Sequence, residues 1–269
     1  MRAVRQLLML ERPARRTRED GFTLIEVLVS MVIMGVVSTM LIGIWIVLTH
    51  SAAFAQADNT AAATARDASD RVTAELRDCQ PPSATSIDPF IFSMSCTYPV
   101  NLGTITCDAN DCIFYSSYNN AGTMLNSDVS PSPGTTDAGE ALALPTAIIL
   151  DTSGTANQKT LWWVRDTNKD GAFDAGDKAI KLATNVVNTA STVNKPIFTY
   201  NFATTSGSTT TYSSSTSLTA ATVWNPPTSS LSSINVEIVV DANLNDKPTY
   251  VDLVSVVRPR NVGTGTSSS

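Results

Sequence analysis

Histidine is nearly missing: the 269 residues contain one, His50, so the side chain most used for general-base and metal chemistry is confined to a single place. That place is the end of the long apolar run, where it cannot orient a nucleophile in the polar remainder of the chain. No glycine-rich loop of the phosphate-cradling kind occurs. Charge is sparse at 16%, and basic residues are few beyond the N-terminus. Arg2, Arg5, Arg12, Arg15, Arg16 and Arg18 against Glu11, Glu19 and Asp20 give residues 1–21 a net +3, so the other 248 residues carry −9 where the whole chain carries −6. Such a balance argues against a broad electrostatic grip on nucleic acid or anionic lipid. Only a carboxylate-based hydrolase survives as a catalytic option, and the expectation is a protein that is not an enzyme.

What the chain does have is an apolar run from Phe22 to Thr49, 28 residues interrupted by one acid, Glu26. About 20 residues suffice to cross a bilayer as a helix, so the run predicts a membrane-inserted protein. The basic bias ahead of it holds the N-terminus in the cytoplasm and sends the rest outward. A secretory signal would have an apolar region of roughly 7 to 15 residues before a small-residue cleavage site, for which Ala53-Phe54-Ala55 could serve. This run is about twice too long for that. An ordinary signal anchor fits the length but explains neither the early acid nor the glycine at the boundary.

The junction itself reads Glu19-Asp20-Gly21-Phe22-Thr23-Leu24-Ile25-Glu26-Val27. It resembles the type IV prepilin family over residues 18 to 50. The resemblance implies cleavage after Gly21 by a dedicated prepilin peptidase, methylation of the new amine on Phe22, and retention of the helix. It also implies that Glu26 pairs with the amine of an adjacent subunit, docking each newcomer into register. An ionisable group at a membrane-helix centre costs on the order of 2.5–3.5 kcal/mol, so an acid kept there is a functional hypothesis by default; near the helix end it could equally be a tolerated interfacial acid.

Beyond His50, Phe54, Ala61, Ala65, Ala68, Val72, Leu76 and Cys79 recur at helical spacing, with Asp58, Arg66, Asp67, Asp70, Arg71, Glu75, Arg77 and Asp78 on the other faces. Pro81-Pro82 stops the pattern, so one helix of 58 residues is expected, apolar all round over 22–49 and amphipathic over 50–79. Residues 80–260 read as a β-rich head. Phe90 to Tyr98 alternate, and Ile113–Tyr115, Ala147–Leu150, Leu161–Arg165, Ala179–Leu182, Ile197–Phe202, Ile234–Val240 and Tyr250–Val257 are further strand candidates. The expected fold class is α+β: a long N-terminal helix laid on an antiparallel sheet, pilin-like by resemblance. Ser130–Gly139 and Thr204–Thr219, rich in Ser, Thr and Gly, read as mobile excursions, with a partner surface or glycosylated patch as the functional option. The tail 261–269 is expected to be disordered.

Four cysteines, Cys79, Cys96, Cys107 and Cys112, lie in the exported part, and an even count there favours disulfides over free thiols or zinc. Cys79 on the helix stripe and Cys96 on the inward parity of its strand suggest one pair. Cys107 and Cys112 across Asp108-Ala109-Asn110-Asp111 suggest the other. The most pointed motif of the head is residues 166–177, where Asp166, Asn168, Asp170, Asp174 and Asp177 occupy positions 1, 3, 5, 9 and 12, Gly171 position 6, and Ala172 would offer its carbonyl. This is the EF-hand-type calcium pattern with a short aspartate in place of the final glutamate, set between strands. An acidic hairpin turn is the plain reading of the same residues. Asp241-Ala242-Asn243-Leu244-Asn245-Asp246 lacks the glycine and reads as a turn.

The order of the Trp162-Trp163 strand, the acidic loop, Phe198-Thr199-Tyr200 and the closing Val256-Val257-Arg258-Pro259-Arg260-Asn261 is similar to minor pilins and J-type pseudopilins. That looser resemblance implies a low-copy structural subunit near a filament tip, partnered by other pilins and held in the cytoplasmic membrane, head outside, before it joins a periplasmic or extracellular filament. A tip-displayed, calcium-dependent binding module is the second function class.

Overall fold

The computed structural model describes residues 22–79, 89–116, 143–153, 159–219, 224–225, 229–242 and 250–259. Gly21 with the rest of 1–21, the Pro81-Pro82 stop, Ser130–Gly139, the turn beyond Ala242 and the tail therefore lie outside the described residues. The chain divides into two compact units, one ending at Ala52 and the other beginning at Ala53.

The described residues of the first unit are helical from Leu24 onward, with their side chains facing outward all round. The helix α1, Leu24–Arg77, contains a window with mean hydropathy 2.5 and none of it buried, long and apolar enough to cross a membrane. It starts two residues later and stops two residues earlier than the periodicity predicts, because Thr23 and Glu26 cap its N-terminus and the chain turns at Asp78.

The second unit is built on the C-terminal part of α1. Ala61, Ala65, Ala68, Val72, Leu76 and, just past the helix, Cys79 are buried as their spacing predicts. Three residues depart from the expected stripe. Phe54 is 40% exposed, about two turns before the first buried position, whereas Glu75 and Asp78, both assigned to outer faces, are buried, Glu75 fully. Glu75 is kept inside by partners: Arg71 lies 2.8 Å away, Arg165 3.6 Å away, and the Ser116 hydroxyl donates to it. A lone buried carboxylate would be driven to neutralise or unfold; a paired and hydrogen-bonded one is tolerated.

Among the described residues the strands are β1 (Ser93–Cys96), β2 (Gly103–Thr106), β3 (Cys112–Ser116), β4 (Leu144–Asp151), β5 (Lys159–Arg165), β6 (Ala172–Phe173), β7 (Lys178–Val186), β8 (Phe198–Ser206), β9 (Thr209–Ser215), β10 (Trp224–Asn225), β11 (Ser229–Asp241) and β12 (Tyr250–Val257). Nine of them form one antiparallel sheet in the order β3-β4-β5-β7-β11-β8-β9, with β10 and β12 also paired to β11. A smaller sheet, β2-β1-β6, pairs β1 with β2 antiparallel and with β6 parallel. The core holds Trp163, Phe114, Phe173, Phe198, Tyr200 and the aliphatic faces of β4 and β11. The Ser69 hydroxyl of α1 meets that of Ser255 in β12 at 2.8 Å.

The expectation of a mobile loop over Thr204–Thr219 is overturned. Tyr200–Ser206 pairs with Thr209–Ser215 in an unbroken antiparallel ladder, closed by Gly207-Ser208 with Gly207 at φ 61°. Thr and Ser bury little here, but β-branched threonine suits a pleated strand and glycine relieves the positive φ of a two-residue turn. The alternating stretch Phe90–Tyr98 also shortens to β1, with Phe90 held in a single bridge to Phe114.

Candidate functional site

At the N-terminal end of α1, Phe22 stands 83% exposed, and the turn that follows is a capping box. Glu26 N–H donates to Thr23 Oγ1 at 3.3 Å, and Glu26 Oε2 accepts from the Thr23 N–H and Oγ1, both at 3.4 Å. Glu26 thus has a local partner within its own chain, in the Thr-x-x-Glu spacing that satisfies orphan amides of a first turn. The Thr23 to Glu26 spacing is the sequence signal for this cap, which the reading of Glu26 as a partner for a neighbour's amine does not use.

In the head, Arg165 ends β5 and the acidic loop follows, with β6 inside it and β7 leaving at Lys178. Asp166 and Asp177 are buried at the two ends of the loop. The Asp166 carboxylate accepts from Lys169 N–H at 2.6 Å and Gly171 N–H at 3.1 Å; that of Asp177 accepts from Thr167 at 2.8 Å and Asp174 at 2.9 Å. Asp170 accepts from Ala172 N–H at 2.9 Å, and Asp174 from Gly176 N–H at 2.7 Å. Lys169 at φ 63° and Gly171 at φ 85° make the left-handed steps that aim these amides inward. Burial pushes the Asp166 carboxyl up, opposed by its two amide donors and assisted by Asp177 and Asp170.

Asn168 donates its amide to Asp170 and Asp174, each at 3.2 Å. The oxygen donors are of the type a hard divalent cation takes. As folded they accept from backbone amides, which leaves each carboxylate further acceptor sites, and among the described residues no group of three or more His, Cys, Asp or Glu converges as a metal cage.

Cys79, Cys96, Cys107 and Cys112 are all buried. Cys79 lies in a bridge with Ser116 at the end of β3, whereas Cys96 ends β1 in the smaller sheet with its thiol toward Tyr98 O at 3.5 Å and Val100 O at 3.7 Å. Cys96, Cys107 and Cys112 carry free thiols, so neither expected bridge is closed here.

Residues 16–42 match the prokaryotic N-terminal methylation motif. No curated protein and no solved structure matches the chain. The match spans the junction and the first turns of α1, which places the family resemblance in the helix; the helix-and-sheet architecture fits the pilin-like α+β plan. The motif points to a structural subunit and not to an enzyme. From its junction, its exposed apolar helix and this match, the chain carries the N-terminal signal of a type IV pilin-like or pseudopilin precursor.

Proposed function

We propose that the protein is a minor pilin or pseudopilin, a structural assembly subunit near the tip of a type IV pilus-like or type II secretion filament. The observation that carries this reading is the junction at Gly21-Phe22 leading without a break into a helix whose first half is apolar on every face. Such a surface is stable in lipid, and it stays stable on leaving lipid only if neighbouring helices replace it. After cleavage the helix holds the subunit in the cytoplasmic membrane with its head outside; extraction then moves it into a bundle of other pilins. Glu26, close to the new amine of Phe22, supplies the charge that a neighbour's amine can meet.

Mass spectrometry of the exported protein tests the reading: the mature chain should begin at Phe22 with a methylated amine, and Gly21→Val should leave the precursor uncut. A terminus at Met1, or one after Ala55, would sink it. The second function class, a tip-displayed module ordered by calcium, is supported by the spacing of oxygen donors over 166–177.

A further inference from the structure

The turn 107–112 joins the two sheets of the head, for β2 ends at Thr106 in the smaller and β3 begins at Cys112 in the larger. Asp108 N–H donates to Asp111 O at 2.9 Å, and Asp108 Oδ1 accepts from Asn110 N–H at 2.7 Å and Asp111 N–H at 3.1 Å. With Asp108 and Asp111 as the hydrogen-bonded closing pair, Cys107 and Cys112 are the next opposite pair. That is the non-hydrogen-bonded kind, in which antiparallel side chains on one face come closest. The Cys107 sulfur accepts from Ile113 N–H at 3.1 Å, so it sits against the peptide that follows Cys112. Cys107 is 2% exposed and Cys112 0%.

The same turn is held by three other segments. Ala109 O accepts from Ile197 N–H at 2.7 Å and Phe198 N–H at 3.0 Å, Cys107 O from Leu218 N–H at 3.0 Å, and Asp111 Oδ1 from Leu150 N–H at 2.9 Å. Whatever fixes this turn fixes the start of β8, the end of β4 and the chain beyond β9 together.

We propose that in the exported protein Cys107 and Cys112 are oxidised to a disulfide, a covalent staple across the turn that joins the two sheets. One cysteine attacks the disulfide of an exported dithiol–disulfide donor and forms a mixed disulfide; the second attacks that sulfur, closing the Cys107–Cys112 bond. Two thiols lose two electrons and two protons, and the donor leaves as its dithiol. The attacking species is the thiolate. Burial, followed by the neighbouring Cys112, pushes the Cys107 thiol well above the usual range, so exchange belongs to the stage before the turn is covered. Once buried, the staple is shielded from reductants for the same reason.

The experiment uses the full exported chain, alkylated under denaturing conditions without reduction and then cut before aspartates. Cleavage at Asp88, Asp108, Asp111 and Asp128 leaves Cys96 and Cys107 on one fragment and Cys112 on another. The expected result is a joined pair of fragments lighter than their sum by two hydrogen atoms, retained in Cys96→Ser and lost in Cys107→Ser. Alkylation of both Cys107 and Cys112 before any reduction would overturn the proposal, as would Cys112 joined to Cys79 or Cys96. The mapping on wild type and Cys96→Ser decides the matter even where Cys107→Ser fails to fold.

Discussion

Glu26 has two roles to fill, and one substitution separates them. A glutamine keeps the reach of a capping box but not the charge, whereas valine removes both. If the acid works by pairing with a neighbour's amine, Glu26→Gln and Glu26→Val should both insert in the membrane and both enter filaments poorly. Incorporation of the glutamine variant at wild-type level would assign Glu26 to its own first turn alone. Filament fractions immunoblotted against membrane fractions make the comparison.

Asp111 is a second residue whose setting decides its behaviour. Burial raises its carboxyl to about 7, opposed by the Leu150 N–H it accepts and helped by Asp108. An unfolded aspartate ionises near about 3.9, so between the two values the folded chain keeps a proton the unfolded chain has lost. The contribution to stability is therefore complete below about pH 4 and declines as pH rises toward 7. Asp111→Asn keeps the acceptor for Leu150 and removes the titration. Melting profiles should show wild type losing on the order of 1–3 kcal/mol across that window relative to the variant; parallel profiles would refute the assignment.

Among the elements, the acidic loop and the β8–β9 hairpin show opposite limits of reading from composition. The hairpin lacked apolar alternation, yet ladder hydrogen bonds and Gly207 sufficed to order it. The loop had a metal-like spacing, yet its carboxylates found amide donors within the loop. Calcium binding would then require Asn168 to turn its oxygen inward, which with the short Asp177 implies weak affinity, about 10⁻⁴–10⁻³ M as in extracellular modules. Free calcium at 100 times its dissociation constant should stabilise the fold by about 2.7 kcal/mol. Melting in about 10–100 mM calcium or magnesium, or in chelator, checks this for wild type and Asp170→Ala. An equal response in both proteins, or none in wild type, would leave an acidic turn.

For the whole molecule, the attachment of the helix segment from Ala53 onward to the sheet rests on more than its alanine stripe. Arg71 and Arg165 both lie 5.0 Å from the Trp163 ring, Arg165 donates to Ser116 at 2.9 Å and to Thr146 at 3.1 Å, and Glu75 joins the two arginines. Small residues allow close approach but specify position weakly; a buried ion network specifies one register at little net gain. Glu75→Leu should cost about 3–5 kcal/mol by leaving the buried Arg165 uncompensated, while Glu75→Leu with Arg165→Met should recover most of it. Denaturant unfolding of the three proteins measures both, and an unrecovered double variant would mean that the cluster is not one unit.

By itself the sequence determined what is local or periodic. The apolar run, the Thr23 to Glu26 spacing, the helical stripe from Ala61 to Cys79 and the strand alternation all depend on residues a few positions apart, and they correspond to α1 and to most of the strands, the Phe90–Tyr98 stretch shortening to β1. Tertiary structure alone decided the parallel pairing of β1 with β6, the burial of Glu75 against Arg165, and the meeting of three distant segments on the turn at Asp108. Glu75 and Arg165 are far apart in the chain, as are β1 and β6, and which of many distant strands and charges meet is set by register and by the need to satisfy every buried polar group at once. No window of the sequence contains that condition.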